Sequence, residues 1–291
     1  MNLAPAMDVP AAELDRLQSR FAARRVLLDD GAVVSVRECG TAGGQGGEVF
    51  VCLHGIGSGA ASWLETALLL AQAGDRVIAW DMPGYGASTP VAAARPVAAD
   101  YALRLHGLLE ALDIGRCVLV GHSLGAITAA HAARAGAPAA GRIARLVLLS
   151  PAIGYGAAGK EEQAERVRTQ RLDTLARDGV AGMAAKADQR LLSAHAGELA
   201  RQWVRWNMGR LDPAGYSQAV QLLAGAVVLA DLPPAMPVQV ACGALDVVTT
   251  PDACAQVAHA CGVPLQLLPE AGHACYVEQP QATARLLRAA T

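Results

Sequence analysis

Short unbroken apolar runs, each followed by a segment of helical spacing, constrain this chain more than any other feature. The runs are Glu48–Leu53, Arg76–Asp81, Arg116–Gly121 and Ile143–Ser150, then, after a long gap, Val238–Cys242 and Pro264–Leu268. Between and after them lie Ser62–Ala73, Val97–Leu112 (with Leu103, Leu105, Leu108, Leu109 and Leu112 on a helical repeat), Leu124–Arg134, Asp252–Cys261 and Ala282–Ala290. A strand covered on both faces is apolar throughout rather than alternating, and parallel strands need a crossover helix between them. The pattern therefore predicts an α/β fold, a mostly parallel central sheet flanked by helices. Ahead of it, Arg25–Leu28 and Ala32–Glu38 read as a hairpin turning at Asp29-Asp30-Gly31. The glycine-rich stretch Gly40–Gly47 precedes a strand instead of following one, so it reads as a solvated loop and not as a phosphate cradle.

The alternation breaks once. Lys160–Arg210 has helical spacing throughout, is richer in Arg, Glu and Gln, and ends near Pro233-Pro234 and Pro237. The expected organisation is a core formed by residues 1–151 and 235–291, interrupted by an all-helical insert over 152–234. Composition narrows the class. Apolar residues make up 53% and charged residues 17%, which excludes a disordered chain. The formal net charge of −2 offers no basic surface for nucleic acid or an anionic membrane. Residues 1–20 contain Asp8, Glu13 and Asp15 and no apolar signal-peptide core. The most apolar stretch, Leu222–Ala230, is far shorter than the roughly 20 residues of a membrane span. The seven cysteines are scattered without a Cys-x-x-Cys pair. Those at 52, 117 and 242 fall inside the apolar runs, as expected of a reduced, cytoplasmic, unanchored protein. No motif calls for a metal or cofactor.

The chemistry-bearing motif is Gly121-His122-Ser123-Leu124-Gly125, which closes an apolar strand and opens a helix. Gly-x-Ser-x-Gly takes its meaning from that setting: the turn is so tight that its flanking residues must be small, and the hydroxyl is left exposed at the strand's end. Ser123 is the expected nucleophile. The Leu124 N–H, at the helix N-terminus, is one expected oxyanion donor. Serine needs a base. His273, in the loop after the last apolar strand, sits where parallel strands deliver side chains to one edge of a sheet. His106, His131 and His259 fall within helices, His195 lies in the insert, and His122 is internal to the serine turn. The acid expected to orient the base is Asp246, in the loop after Val238–Cys242. Asp252 resembles a helix N-cap, and Asp81 precedes the serine within the structural turn Asp81-Met82-Pro83-Gly84-Tyr85-Gly86. The second oxyanion donor is expected at the Ile56 N–H in His54-Gly55-Ile56-Gly57, with His54 shaping that loop.

Leu53-His54-Gly55, Asp81–Gly86, Gly121–Gly125, Gly243 to Asp246 and Gly272-His273 together resemble the α/β-hydrolase superfamily in order and approximate spacing. The resemblance implies that the insert is a cap over the active site, and Ser123 separates the chain from branches with an aspartate nucleophile. The ending His273-Ala274-Cys275-Tyr276-Val277-Glu278-Gln279-Pro280 and the segment Arg177–Ala184 are similar to 3-oxoadipate enol-lactonases and related esterases. The loop after His54 also suits the carbon–carbon hydrolases of meta-ring-fission products. That branch places a tryptophan after the catalytic histidine, where this chain has Ala274. The expectation is a hydrolase of a small ester or lactone, working through an acyl-enzyme and needing no cofactor. The alternatives are carbon–carbon bond hydrolysis and a non-catalytic ligand-binding protein on the same fold. Trp63, Trp203 and Trp206 are candidate substrate contacts, each with packing as its competing role. One of Arg166, Arg168, Arg171, Arg201 and Arg205 is expected to face Ser123 if the substrate carries a carboxylate.

Overall fold

The computed structural model describes residues 9–41 and 47–289; most of the glycine-rich loop lies outside them. An eight-stranded sheet runs in the order β1-β2-β4-β3-β5-β6-β7-β8. Its strands are β1 (Ala23–Leu27), β2 (Val33–Cys39), β3 (Val49–Leu53), β4 (Arg76–Trp80), β5 (Cys117–His122), β6 (Ile143–Leu149), β7 (Val238–Gly243) and β8 (Leu265–Leu268). Only β2 runs against the rest, pairing antiparallel with β1 and β4, while every other pairing is parallel. The hairpin turns where the sequence placed it, with Gly31 at φ 81° and the Asp30 carboxylate accepting the Ala32 N–H at 2.9 Å.

The continuous apolar runs have a direct explanation in the packing. Phe50 and Cys52 of β3, with Val118 and Val120 of β5, enter one core beneath α2 (Leu64–Gln72) and α11 (Pro280–Arg288). Val51, Leu53 and Leu119 enter the other, beneath α3 (Ala98–Ala111) and α4 (Leu124–Ala133). Each strand feeds both layers, so no polar alternation survives in its sequence. Two elements were not anticipated. A further helix, α1 (Ala11–Arg20), buries Leu17 and is tied to α2 by Arg16, whose guanidinium meets the Glu65 carboxylate at 2.5 and 2.9 Å. A short turn of helix, α10 (Cys275–Glu278), precedes α11. Thr250, not Asp252, caps α9 (Pro251–Ala260): its hydroxyl accepts the Ala253 N–H, and Asp252 lies inside the first turn.

Between β6 and β7 the described chain forms α5 (Glu161–Ala184), α6 (Ala187–Leu191), α7 (Glu198–Met208) and α8 (Pro213–Gly225) without a strand. The expectation of helix throughout 160–210 needs correction. Gly179, at φ 63° and ψ 176°, breaks α5, and residues 192–197 form a non-helical link. Buried Asp188 holds α6 to α7 through Arg205, at 2.8 and 2.7 Å, and through Arg201 at 3.4 Å. The insert also meets the core backbone to backbone. A Cβ on Gly215 of α8 would fall 2.0 Å from the carbonyl oxygen of Gly84, in the turn after β4.

Candidate active site

The serine turn is held in an uncommon backbone state. Ser123 sits at φ 53°, ψ −115°, between the last residue of β5 and the first of α4. Such a conformation costs on the order of 1–3 kcal/mol and persists only where the surroundings hold it. Here the Ser123 N–H donates to the Leu149 carbonyl at 3.0 Å, and its own carbonyl accepts from Ala126 at 3.0 Å and Ala152 at 3.2 Å. The flanking glycines are required by contact. A Cβ on Gly121 would stand 2.7 Å from the Ala126 Cα, and one on Gly125 would stand 2.5 Å from the Leu53 carbonyl oxygen.

The C-terminal ends of β3, β5, β7 and β8 bring Ile56, Ser123, Asp246 and His273 to the same edge of the sheet. Asp246 forms the centre of a hydrogen-bonded loop. Its Oδ1 accepts the N–H groups of Val248 and Thr249 at 2.7 and 3.0 Å, and its Oδ2 accepts His273 Nδ1–H at 2.8 Å. The Thr249 hydroxyl lies 2.9 Å from Oδ2 and 2.9 Å from the Ser150 carbonyl. Burial would raise the Asp246 pKa, but the bond and charge of His273, with the Val248 N–H, outweigh it and bring the group down to about 2. Asp246 is therefore a carboxylate at any working pH. A carboxylate accepts only, so the His273 proton is assigned to Nδ1 and the Nε2 lone pair is left for proton transfer.

Two N–H groups face the question of an oxyanion. Leu124 N–H, first in α4, and Ile56 N–H have no acceptor among the described residues. The direction of the second is set by His54. Its Nδ1–H donates to the Gly55 carbonyl at 2.8 Å, and its Nε2 accepts the Met82 N–H at 3.1 Å. That carbonyl also accepts from the Ser58 N–H at 3.2 Å. In a trans peptide the N–H points opposite to the C=O, so anchoring the Gly55 oxygen on one side turns the Ile56 N–H to the other. Burial lowers the pKa of His54 and keeps the ring neutral for this task. Asp81, the earlier rival acid, is occupied elsewhere: it accepts the Ala60 N–H and the Ser35 hydroxyl, each at 2.8 Å.

Ser123, His273, Ile56 and Leu124 all line one cavity of about 400 Å³ roofed by the insert. Of the five arginines considered from sequence, only Arg171 lines it, its Nη1 lying 3.3 Å from the Tyr216 hydroxyl. Arg168 instead pairs with Gln221 and Glu165, and Arg201 and Arg205 are bound to Asp188. Arg190, which sequence reasoning passed over, also lines the cavity and has no hydrogen-bond or ion-pair partner among the described residues. Lys186 joins it one helical turn earlier, 3.6 Å from Asp178. Their i, i+4 spacing was the available signal.

The structure places none of the three tryptophans on the cavity wall. Trp63 is fully buried and stacks on Tyr276 with ring centres 4.0 Å apart, so it is core beneath α2. Trp203 is buried, with Trp206 edge-on to it at 5.3 Å and the Arg210 guanidinium 4.6 Å over the Trp206 ring. Their spacing does put both on one helical face, but that face packs on the core instead of the cavity. The cavity's polar wall is built by Ser58, Ser62 and Tyr276, whose hydroxyls lie 3.3 Å (Ser58 to Tyr276) and 2.8 Å (Ser62 to Tyr276) apart. Among the described residues no cluster of three or more His, Cys, Asp or Glu side chains is placed to hold a metal, and no helix is long and apolar enough to cross a membrane. None of the seven cysteines is in a disulfide.

The doubly covered parallel sheet, the strained serine turn and the helical insert after β6 define an α/β-hydrolase architecture. The chain belongs to the alpha/beta hydrolase family, whose family model matches residues 50–286. It is similar to a 2-hydroxy-6-oxononadienedioate/2-hydroxy-6-oxononatrienedioate hydrolase of Paraburkholderia xenovorans, 39% identical over 114 residues, 38% of each chain. A protein of the same name from Cupriavidus pinatubonensis is 33% identical over 146 residues, 49% of each chain. The chain thus spans less than half the length of these relatives. Among solved structures, the enol-lactonase from Burkholderia xenovorans superposes with a TM-score of 0.78 at 22% identity, covering 91% of this chain and 98% of that one. An esterase from Thermogutta terrifontis does so with a TM-score of 0.78 at 22% identity, covering 91% and 96%. At that identity the likeness is one of fold.

Proposed function

We propose that the protein is a serine hydrolase of small carboxylic esters or lactones, with Ser123 as nucleophile, His273 as general base and Asp246 as the orienting acid. The observation that carries this reading is that Ser123 and an Asp246-bound His273 line one cavity together with Ile56 and Leu124, whose N–H groups have no acceptor among the described residues. Ser123 Oγ attacks the substrate carbonyl carbon as His273 Nε2 takes its proton, and the oxyanion is met by the N–H groups of Ile56 and Leu124. Collapse breaks the bond to the leaving oxygen, which takes the proton from His273. Water then repeats the cycle and releases the acid. The helical insert acts as a cap, and Arg171, Lys186 and Arg190 suit a substrate that carries a carboxylate beyond the scissile bond.

A second reading, hydrolysis of a carbon–carbon bond in a ring-fission product, is favoured by the names of the relatives, which are hydrolases of dicarboxylates, and by the same cavity cations. Product analysis separates the two: an alcohol or opened hydroxy-acid in one case, two acid fragments in the other. The deciding experiment is a screen of graded p-nitrophenyl esters, lactones and ring-fission products against wild type and Ser123→Ala, beside fluorophosphonate labelling. Turnover of one class that is lost in Ser123→Ala supports the reading. Hydrolysis retained in that variant ends it, and a wild-type Ser123 that resists the probe favours a ligand-binding protein.

A further inference from the structure

The backbone beside His273 is held from outside its own loop at three consecutive residues. Gly272 N–H donates to Glu278 Oε2 at 2.8 Å, the His273 carbonyl accepts His122 Nε2–H at 2.9 Å, and Ala274 N–H donates to the Leu191 carbonyl at 2.8 Å. Two of these three contacts lead to the helical insert. Leu191 ends α6, and the Glu278 oxygen that takes Gly272 also accepts the Ser193 N–H at 3.1 Å. The second Glu278 oxygen receives the Ser193 hydroxyl, which also lies 2.9 Å from the Glu270 carbonyl. One carboxylate therefore joins the insert at Ser193 to the residue immediately before His273.

We infer that Glu278 is a positioning residue that makes the placement of His273 depend on the seating of insert residues 191–193. The inference rests on the reading of His273 as general base. Among the described residues Glu278 is the one side chain hydrogen-bonded to both Ser193 and Gly272: it projects from α10, five residues beyond His273, and its carboxylate has the acceptor sites for two N–H groups and a hydroxyl at once. The serine turn keeps its own bonds to Leu149 and Ala152, and its hydrogen bond to the His273 loop, from His122 to the His273 carbonyl, does not run through Glu278. Loosening Glu278 thus displaces base from nucleophile instead of moving both together. Displacements on the order of 1 Å in such pairs cost about a hundredfold in rate.

The test compares Glu278→Ala, Glu278→Gln, Ser193→Ala and His273→Ala with wild type, using a small neutral p-nitrophenyl ester well below the unfolding temperature of each variant. Glu278→Ala is expected to lower kcat by about ten- to a hundredfold with KM within about threefold, and to slow fluorophosphonate labelling of Ser123 in parallel. Glu278→Gln is expected to recover most of the lost kcat. Its amide oxygen can take both N–H bonds, while its NH2 donates to the Ser193 oxygen and that hydroxyl turns to Glu270. Ser193→Ala keeps its N–H and gives a smaller loss, and it carries the test should Glu278→Ala not fold. Wild-type kcat in both Glu278→Ala and Ser193→Ala, with His273→Ala inactive, overturns the positioning role and leaves the base assignment standing. A Gln variant as impaired as the Ala variant also overturns it. A His273→Ala enzyme that turns over normally overturns the base assignment itself.

Discussion

Replacing Asp246 by Asn separates two contributions of one carboxylate. The amide oxygen can keep the bonds from Val248 and Thr249, so the loop after β7 retains its shape. The amide NH2 then stands where Oδ2 was, 2.8 Å from His273 Nδ1, and can only donate. The imidazole must accept at Nδ1, its proton moves to Nε2, and the base is lost without loss of geometry. In Ser-His-Asp hydrolases such a tautomer reversal costs about 10⁴ in kcat. The stability term follows from the carboxyl's own titration. Folding brings it from 3.8 to about 2, worth about 2 kcal/mol for a group so largely withdrawn from water. The unfolded chain takes up the proton first as pH falls. The stabilisation is therefore complete above about pH 5 and is lost as pH drops through 3.8 and then through about 2. Guanidinium unfolding at pH 7 should show Asp246→Asn about 2 kcal/mol below wild type, and the gap should shrink to about a third by roughly pH 2.5 and close only below about pH 2. A p-nitrophenyl ester assay at neutral pH should show a loss of about 10³–10⁴ in kcat. A variant within tenfold of wild-type kcat, or a stability gap that stays constant into acid, refutes the reasoning.

The remaining predictions address the walls and the supports. Arg171→Gln should raise KM for a dicarboxylate-derived ester about tenfold or more, the worth of one charge-assisted hydrogen bond, and leave p-nitrophenyl acetate unaffected; equal changes on both substrates would remove the carboxylate role. Trp206→Ala should lower the unfolding temperature and leave KM within about twofold for every substrate, since a ring packed on Trp203 and Arg210 loses contacts but no ligand. Gly215→Ala places a Cβ 2.0 Å from the Gly84 oxygen and should cost on the order of 1–3 kcal/mol in chemical denaturation; an unchanged midpoint would show that α8 slides freely on the core.

Much of this protein is legible before any coordinates. Strands buried on both faces must be apolar at every position, and a serine turn this tight must be flanked by small residues, so both leave local marks at fixed spacing. The same local chemistry puts Ser123 forward as the candidate nucleophile, and strand-end position puts forward Asp246 and His273, which the structure joins by a hydrogen bond of 2.8 Å. What the sequence could not convey depends on partners far apart in the chain. Trp203 and Trp206 share a helical face in either reading, and only packing decides that the face meets the core and not the cavity. Arg171 and Arg205 are equivalent in sequence; buried Asp188 claims one, and the other turns to the cavity beside Tyr216. Glu278 reads as one residue of a helical turn until the fold brings Ser193 to it across 85 positions. Periodicity and steric exclusion act along a few consecutive residues and are written there. The choice between a wall, a strut and a core contact is made by whichever distant surface a side chain meets, and that is decided only when the insert closes over the sheet.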